Sequence, residues 1–523
     1  MKGKRIILYV LLYILMVGLM YIGFCYIDKR YIRLIRPDDR SMLFATALGI
    51  PLFIIIRIEI ARAKNRTSLL TPEKRKAMYP PVPKKYLSKK PDGLILGKYG
   101  SSYVRVPLDL NNVLHAAIVG SPGSGKSSLY LSILLSNFMQ HPPPMQVFCI
   151  DVKPELARKS VEIYNNPHVR VVNPTDRSSW GWNAFYDLND NSSEDEIARV
   201  VDGISRALIV IENKKNSFFS NSARNIFTGL VIYYYIKGFG FVECVLLIMS
   251  KDVQGQIQDA LEDNEICSES SRIRQYLSEY AEADSEALND IKMTLKENLN
   301  IFTDADVIWN LRDNPRKASP MDFEEDMSIF ISVPESFIDY GSTLLRLYTH
   351  QVLEYCEKYR NETSKMLAII LEELPRIGRL DRLKNALGTF RSRRISILFA
   401  IQDASQLQSI YSYEEARTLL NLAEIQVVCS GNDVPTIDTY SKWAGEYRQV
   451  RQSTSRGHQS NSISISYENK KIIEPSDMMT LRRTNEVILF IEGRYYRVKK
   501  CQYFKDRILN RRYKQICQIN ERR

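Results

Sequence analysis

Four kinds of hydrophobic run organise the 523-residue chain. The first, Ile6 to Tyr26, is 21 residues without a charge, the length a helix needs to cross a bilayer. Lys2, Lys4 and Arg5 precede it, as in a secretory signal peptide, but the run exceeds a signal core and no A-x-A-like site follows. The second, Ser41 to Ile56, has 16 residues and contains Pro51; it reads as a second crossing, or else as an interfacial or buried helix. The third kind is short, apolar and bounded by polar residues: Leu114 to Val119, Met145 to Ile150, Met366 to Leu371 and Ile395 to Ile401. Such runs mark strands buried on both faces of a parallel sheet. The fourth repeats at helical spacing, as in Leu129, Ile133, Leu134 and Phe138, and over Ala223 to Tyr235 and Ser285 to Leu299. Strands alternating with helices predict an α/β fold.

Composition changes this picture in three ways. At 45% apolar and 25% charged, the chain can bury a large core, which excludes disorder as its main state. The eight cysteines stand singly, with no CxxC pair, which fits a reducing compartment and argues against a disulfide scaffold or a structural zinc site. The net charge of +12 suggests a polyanionic partner, but its distribution qualifies that. Residues 1–100 hold 20 basic and 6 acidic side chains, and the remainder sums to −2. Seven basic residues from Arg57 to Lys76 favour a cytoplasmic side for everything downstream, although Lys29, Arg30, Arg33, Arg36 and Arg40 crowd the loop between the two apolar segments. The expected location is therefore the cell membrane, multi-pass, with the bulk of the chain cytoplasmic.

Chemistry enters after the first short strand. Gly120-Ser121-Pro122-Gly123-Ser124-Gly125-Lys126-Ser127, followed by Ser128 and a helical pattern, is G-x-x-x-x-G-K-[ST] between a strand and a helix. Its glycines let successive backbone N–H groups curl around phosphate, and the helix N-terminus adds partial positive charge. Lys126 is placed for the β- and γ-phosphates of ATP and the Ser127 hydroxyl for Mg²⁺. The apolar run Met366 to Leu371 ends in Glu372-Glu373, the form of a Walker B element: the first acid serves the Mg²⁺ shell and the second polarises the attacking water. The usual first acid is Asp; Glu372 adds one methylene, which moves the carboxylate by about a bond length and bears on metal geometry and turnover. Asp151-Val-Lys153-Pro-Glu155 ends another strand beside the loop, and Gln402 follows Ile395 to Ile401, either as a sensor of the γ-phosphate or as a plain surface glutamine.

These stretches, together with Val171 to Asn183, Leu371 to Gly378, Ile401 to Leu407, Cys429 to Asp433 and Ile472 to Tyr503, resemble in their order the TraG/TraD family of type IV secretion coupling proteins. The resemblance implies a RecA-like P-loop ATPase core with an inserted all-α domain and an N-terminal transmembrane anchor. It implies Glu373 as catalytic acid, Gln402 as sensor, and a homohexamer in which Arg391 of the partner subunit completes the site. Arg393 and Arg394 read equally as a basic face. The implied partners are relaxase-bound single-stranded DNA or a secreted protein, the secretion channel components and the membrane. The expected organisation is an anchor over 1–60, a Pro/Lys-rich linker over 61–95, a nucleotide-binding domain over 96–186 and 314–505, an all-α insert over 187–313 and a basic tail over 506–523. An FtsK-like DNA translocase and a non-hydrolysing docking receptor are the alternatives.

The insert carries 12 Lys/Arg against 23 Asp/Glu, a balance of −11 that suits a basic protein partner or is an ordinary solvated face. Arg451 to Tyr467 is Ser-rich and reads as a mobile loop or a ribbon, and the tail from Asp506 to Arg523 reads as a frayed basic helix, or else as one that touches nucleic acid or lipid.

Overall fold

The computed structural model describes residues 79–522 apart from 109–112, 164–165, 212–216, 251, 283–284 and 457–460. The chain divides into two units, Tyr79–Gly445 with Ile473–Arg523, and Met1–Met78 with Glu446–Ile472.

In the larger unit, twelve strands form one sheet: β1 (Leu87–Ser88), β2 (Leu94–Tyr99), β3 (Ser102–Val106), β4 (Ala116–Val119), β5 (Gln146–Asp151), β6 (Val169–Val172), β7 (Ser328–Ser332), β8 (Leu367–Leu371), β9 (Ile395–Ile401), β10 (Ile425–Val428), β11 (Glu486–Ile491) and β12 (Arg494–Lys499). Their order is β1-β3-β2-β12-β11-β10-β4-β9-β8-β5-β7-β6. The seven from β10 to β6 run parallel. The other five continue the sheet antiparallel. Every residue of β4, β5, β8 and β9 is buried, as their unbroken apolar runs require. Each such Leu, Ile or Val contributes roughly 2 kcal/mol by leaving water.

Register decides where the chemistry lies. Val119 pairs with Ile401, while Leu371 pairs with both Phe399 and Ile150. The carboxyl ends of β4, β9, β8 and β5 therefore stop at one edge of the sheet, and the polar residues that follow them emerge together.

Between β6 and β7 the chain is largely helical, with Glu194–Leu208, Ser217–Ile236, Phe241–Ser250, Val253–Glu262, Arg272–Leu277 and Ser285–Leu299. The sequence Ser-Glu-Asp-Glu starts the first of these: the Ser193 hydroxyl accepts from the Glu196 N–H and Glu196 accepts from the Ser193 N–H. The C-terminal helix Arg507–Glu521 is not frayed. Asp506 caps it by accepting from the Ile508 and Leu509 N–H groups, and Leu509 and Ile516 are buried beneath it. In the smaller unit, Glu446–Arg456 and Asn461–Lys471 pair antiparallel in continuous register, so the Ser-rich stretch is a ribbon.

The anchor segments, near 6–26 and 41–56, lie outside the described residues. Among the described residues no helix is long and apolar enough to cross a membrane, which corrects the expectation of a multi-pass cell-membrane protein.

Candidate functional site

The loop after β4 is built for close approach to a ligand. Gly123 and Gly125 adopt φ of +70° and +99°, which side-chain-bearing residues rarely reach. Gly125 also stands at the N-cap of the helix Lys126–Phe138, which has no side-chain cap and no acid in its first turn. Its leading N–H groups are thus left for an anion. Lys126 folds back and donates to the Gly120 carbonyl, and burial pulls its ammonium below the usual lysine range.

Opposite the loop stand the two acids after β8. The Ser127 hydroxyl donates to Glu372 Oε1 at 2.8 Å. Glu372 Oε2 is buried and has no partner among the described residues, and burial pushes the carboxyl up to about 7. A hydroxyl and an under-satisfied carboxylate are hard oxygen donors of the kind Mg²⁺ takes, so the pair fits that ion. Glu373 points elsewhere: its Oε1 accepts from Gln402 Nε2 at 2.7 Å, and its Oε2 lies 3.7 Å from Arg376. Gln402 is thus not a plain surface residue. These groups, with Pro122 to Ser128, Lys153 and Glu335, line one cleft of about 490 Å³.

Asp151, the last residue of β5, is not among the residues that line the cleft. It is fully buried and accepts from the Ala157 N–H at 2.9 Å and the Ser332 hydroxyl at 3.2 Å. Burial, and then the neighbouring Glu372, push it up to about 8. Arg391 lies at the amino end of β9, whereas Gln402 follows its carboxyl end, about 20 Å of strand away. There it binds Glu424 at 2.6 Å and the Val113 carbonyl at 3.1 Å. Arg393 donates to the Cys356, Glu357 and Arg360 carbonyls, and Arg394 to those of Ser364 and Leu108, so neither belongs to a free basic face.

Sequence reading missed several groups at the cleft. Lys500, just after β12, donates to the Ser124 carbonyl at 2.7 Å, and the Arg482 guanidinium packs against Gly123. Glu335 draws Arg376 and Lys153 to 3.2 and 3.5 Å. Ser121 and Ser430 share a 2.8 Å hydroxyl contact. Ser430, Arg482 and Lys500 reach the loop because β10, β11 and β12 extend the sheet beside β4, whereas Glu335 follows β7 on the far side of β5.

Residues 74–522 match the family model described as type IV secretory system conjugative DNA transfer. Protein VirD4 of Agrobacterium fabrum is 25% identical over 197 residues, covering 36% of this chain and 29% of that protein. The type IV secretion system-coupling protein VirD4 of Bartonella quintana is 20% identical over 409 residues, covering 74% and 62%. The bacterial conjugative coupling protein TrwB is similar in fold, with a TM-score of 0.60 at 15% identity over 83% of this chain and 92% of TrwB. It has been solved with a non-hydrolysable ATP analogue and with ADP and Mg²⁺. The mixed sheet and its helices thus resemble the RecA-like fold of TrwB, and the chain belongs to the type IV secretion conjugative coupling protein family.

Proposed function

We propose that this protein is a Mg²⁺-dependent ATPase that drives conjugative DNA, or a protein substrate, toward a type IV secretion channel. The observation that carries the proposal is the pair of hydrogen bonds Ser127–Glu372 and Gln402–Glu373, which turn two adjacent acids to two separate tasks beside one phosphate loop. The loop N–H groups and Lys126 bind and orient the phosphates. Ser127 and Glu372 would hold Mg²⁺, which neutralises phosphate charge when bound. Glu373 accepts a proton from the attacking water, and Gln402 holds that carboxylate in place.

The catalytic assembly is a ring, proposed here as a homohexamer. What supports this is the position of Arg391: at the amino end of the sheet it cannot reach the phosphates of its own chain, so Arg391 of the partner subunit would supply the transition-state charge. The acid-rich insert suits a basic protein such as a relaxase. ATP turnover by the purified protein, abolished in Lys126→Ala and Glu373→Gln while Glu373→Gln still binds nucleotide, is the expected result. Nucleotide binding without any turnover in the unaltered protein would overturn the enzymatic reading in favour of a docking receptor.

A further inference from the structure

The fold brings together two basic segments some 400 positions apart in the sequence. Lys89 and Lys98, from the β1–β3 region, share a cleft of about 790 Å³ with Lys505, Arg507, Arg511 and Arg512 of the C-terminal segment. One carboxylate, Asp506, lies among these six cations, and it is already engaged. It accepts from Lys98, from the Tyr103 hydroxyl at 2.7 Å and from the helix N–H groups it caps. Arg512 is likewise held, by the Phe138 carbonyl at 3.2 Å and by Glu162.

The other four are differently placed. Lys89 touches only the Ser101 hydroxyl, and the side chains of Lys505, Arg507 and Arg511 make no ion pair or hydrogen bond among the described residues. All four are exposed. Unpaired like charges held this close repel one another, and a polyanion relieves that repulsion. Arg507 and Arg511 stand one helical turn apart, about 6 Å, and each guanidinium presents the fork of donors that suits a phosphate. Beside them Phe504 is 45% exposed, with the Lys505 ammonium 5.8 Å from its ring centre. An exposed aromatic ring among free cations is the combination that binds single-stranded nucleic acid, the ring stacking on a base while the cations meet phosphates.

We propose that this cleft is a binding site for the sugar-phosphate backbone of single-stranded DNA, separate from the nucleotide cleft. The proposal rests on the reading of the protein as a DNA-transfer ATPase for the kind of polymer, and on the cleft for its place. Contact is independent of sequence and sensitive to salt.

The test is fluorescence anisotropy of a labelled single-stranded oligonucleotide with the full chain over a range of salt concentrations. Arg507→Gln with Arg511→Gln is expected to weaken binding about tenfold near physiological salt. It should also reduce the magnitude of the log K against log salt slope by roughly 1.4, which is two lost contacts on a single strand. Phe504→Ala should weaken single-strand binding and leave duplex binding unchanged. Both sites are exposed, so unchanged circular dichroism and unchanged DNA-independent ATP turnover are expected and separate the effect from misfolding. Unchanged affinity and slope in the double variant, with Lys126→Ala still abolishing turnover, would overturn this site while leaving the ATPase reading intact. Loss of binding to anionic phospholipid vesicles with DNA binding retained would also overturn it, as would a change only in self-association.

Discussion

Gln402 Nε2 donates to Glu373 Oε1 at 2.7 Å, joining the carboxyl ends of two neighbouring parallel strands. The amide holds one carboxylate oxygen and leaves the other toward Arg376, so the acid has a fixed direction before any water arrives. Glu373→Gln removes the base and is expected to lower kcat by about 10² to 10⁴ with nucleotide affinity retained. Gln402→Ala removes only the positioning and should cost less. Because the two act as a unit, the double variant should be little worse than Glu373→Gln alone. Single-turnover kinetics on the three variants decides this; a multiplicative loss would show that Gln402 acts independently of Glu373.

Glu372 and Asp151 give the protein a pH dependence of definite sign. Burial raises them to about 7 and about 8, so the folded chain holds protons that the unfolded chain releases near pH 4. The stability they contribute is full below about pH 4 and is lost as pH rises through 7 to 8. For Glu372 the swing is on the order of 3 kcal/mol. Chemical denaturation at pH 5 and pH 8.5 in chelator should show the loss, and Glu372→Gln should flatten its share of it. Mg²⁺ needs the carboxylate, so it should stabilise the protein more at pH 8 than at pH 6, and this difference should shrink in the variant.

Much of the parallel half of the sheet was legible because buried strands write themselves as unbroken apolar runs. Ile395 to Ile401 is a strand over its whole length, Met366 to Leu371 exceeds β8 by one residue at its start, and Met145 to Ile150 is offset from β5 by one residue at each end. The phosphate loop, Glu372, Glu373 and Gln402 were legible because they follow such runs directly. The antiparallel extension through β11, β12, β2 and β3 was not: Glu486–Ile491 is a buried run and Arg494–Lys499 buries only Tyr496 and Val498, but nothing in either run says that it joins this sheet beside β10. Lys500 and Arg482 were hidden for the same reason: their nearness to the loop is a matter of strand order. The basic tail was misread because Asp506, Leu509 and Ile516, which cap and bury the helix, are outnumbered by arginines and lysines.

Arg393 tests whether the arginines before β9 have separate roles. One of its nitrogens serves the Cys356, Glu357 and Arg360 carbonyls at the end of the helix Ile338–Tyr359, groups that a helix terminus leaves without partners. Arg393→Ala is expected to cost about 2 kcal/mol of stability, read by chemical denaturation, with ATP affinity unchanged. A loss of turnover without a loss of stability would contradict this structural role.

Arg391 is expected to behave in the opposite way. Its side chain is half exposed, and its contacts with Glu424 and the Val113 carbonyl lie at the far end of β9 from Gln402. An exposed pair of this kind contributes less than about 1 kcal/mol, so Arg391→Ala should leave folding nearly unchanged. If Arg391 of the partner subunit completes the site, that variant should lose turnover by a factor of about 10³ or more. Lys126→Ala is inactive for a different reason, since its own phosphate loop is impaired while its arginine is intact. Mixing the two inactive proteins under assembling conditions creates interfaces that pair an intact loop with an intact arginine. Partial recovery of ATP turnover in the mixture, measured against each variant alone, is therefore the expected outcome. Were Arg391 to act within its own chain, no mixture of the two could recover activity.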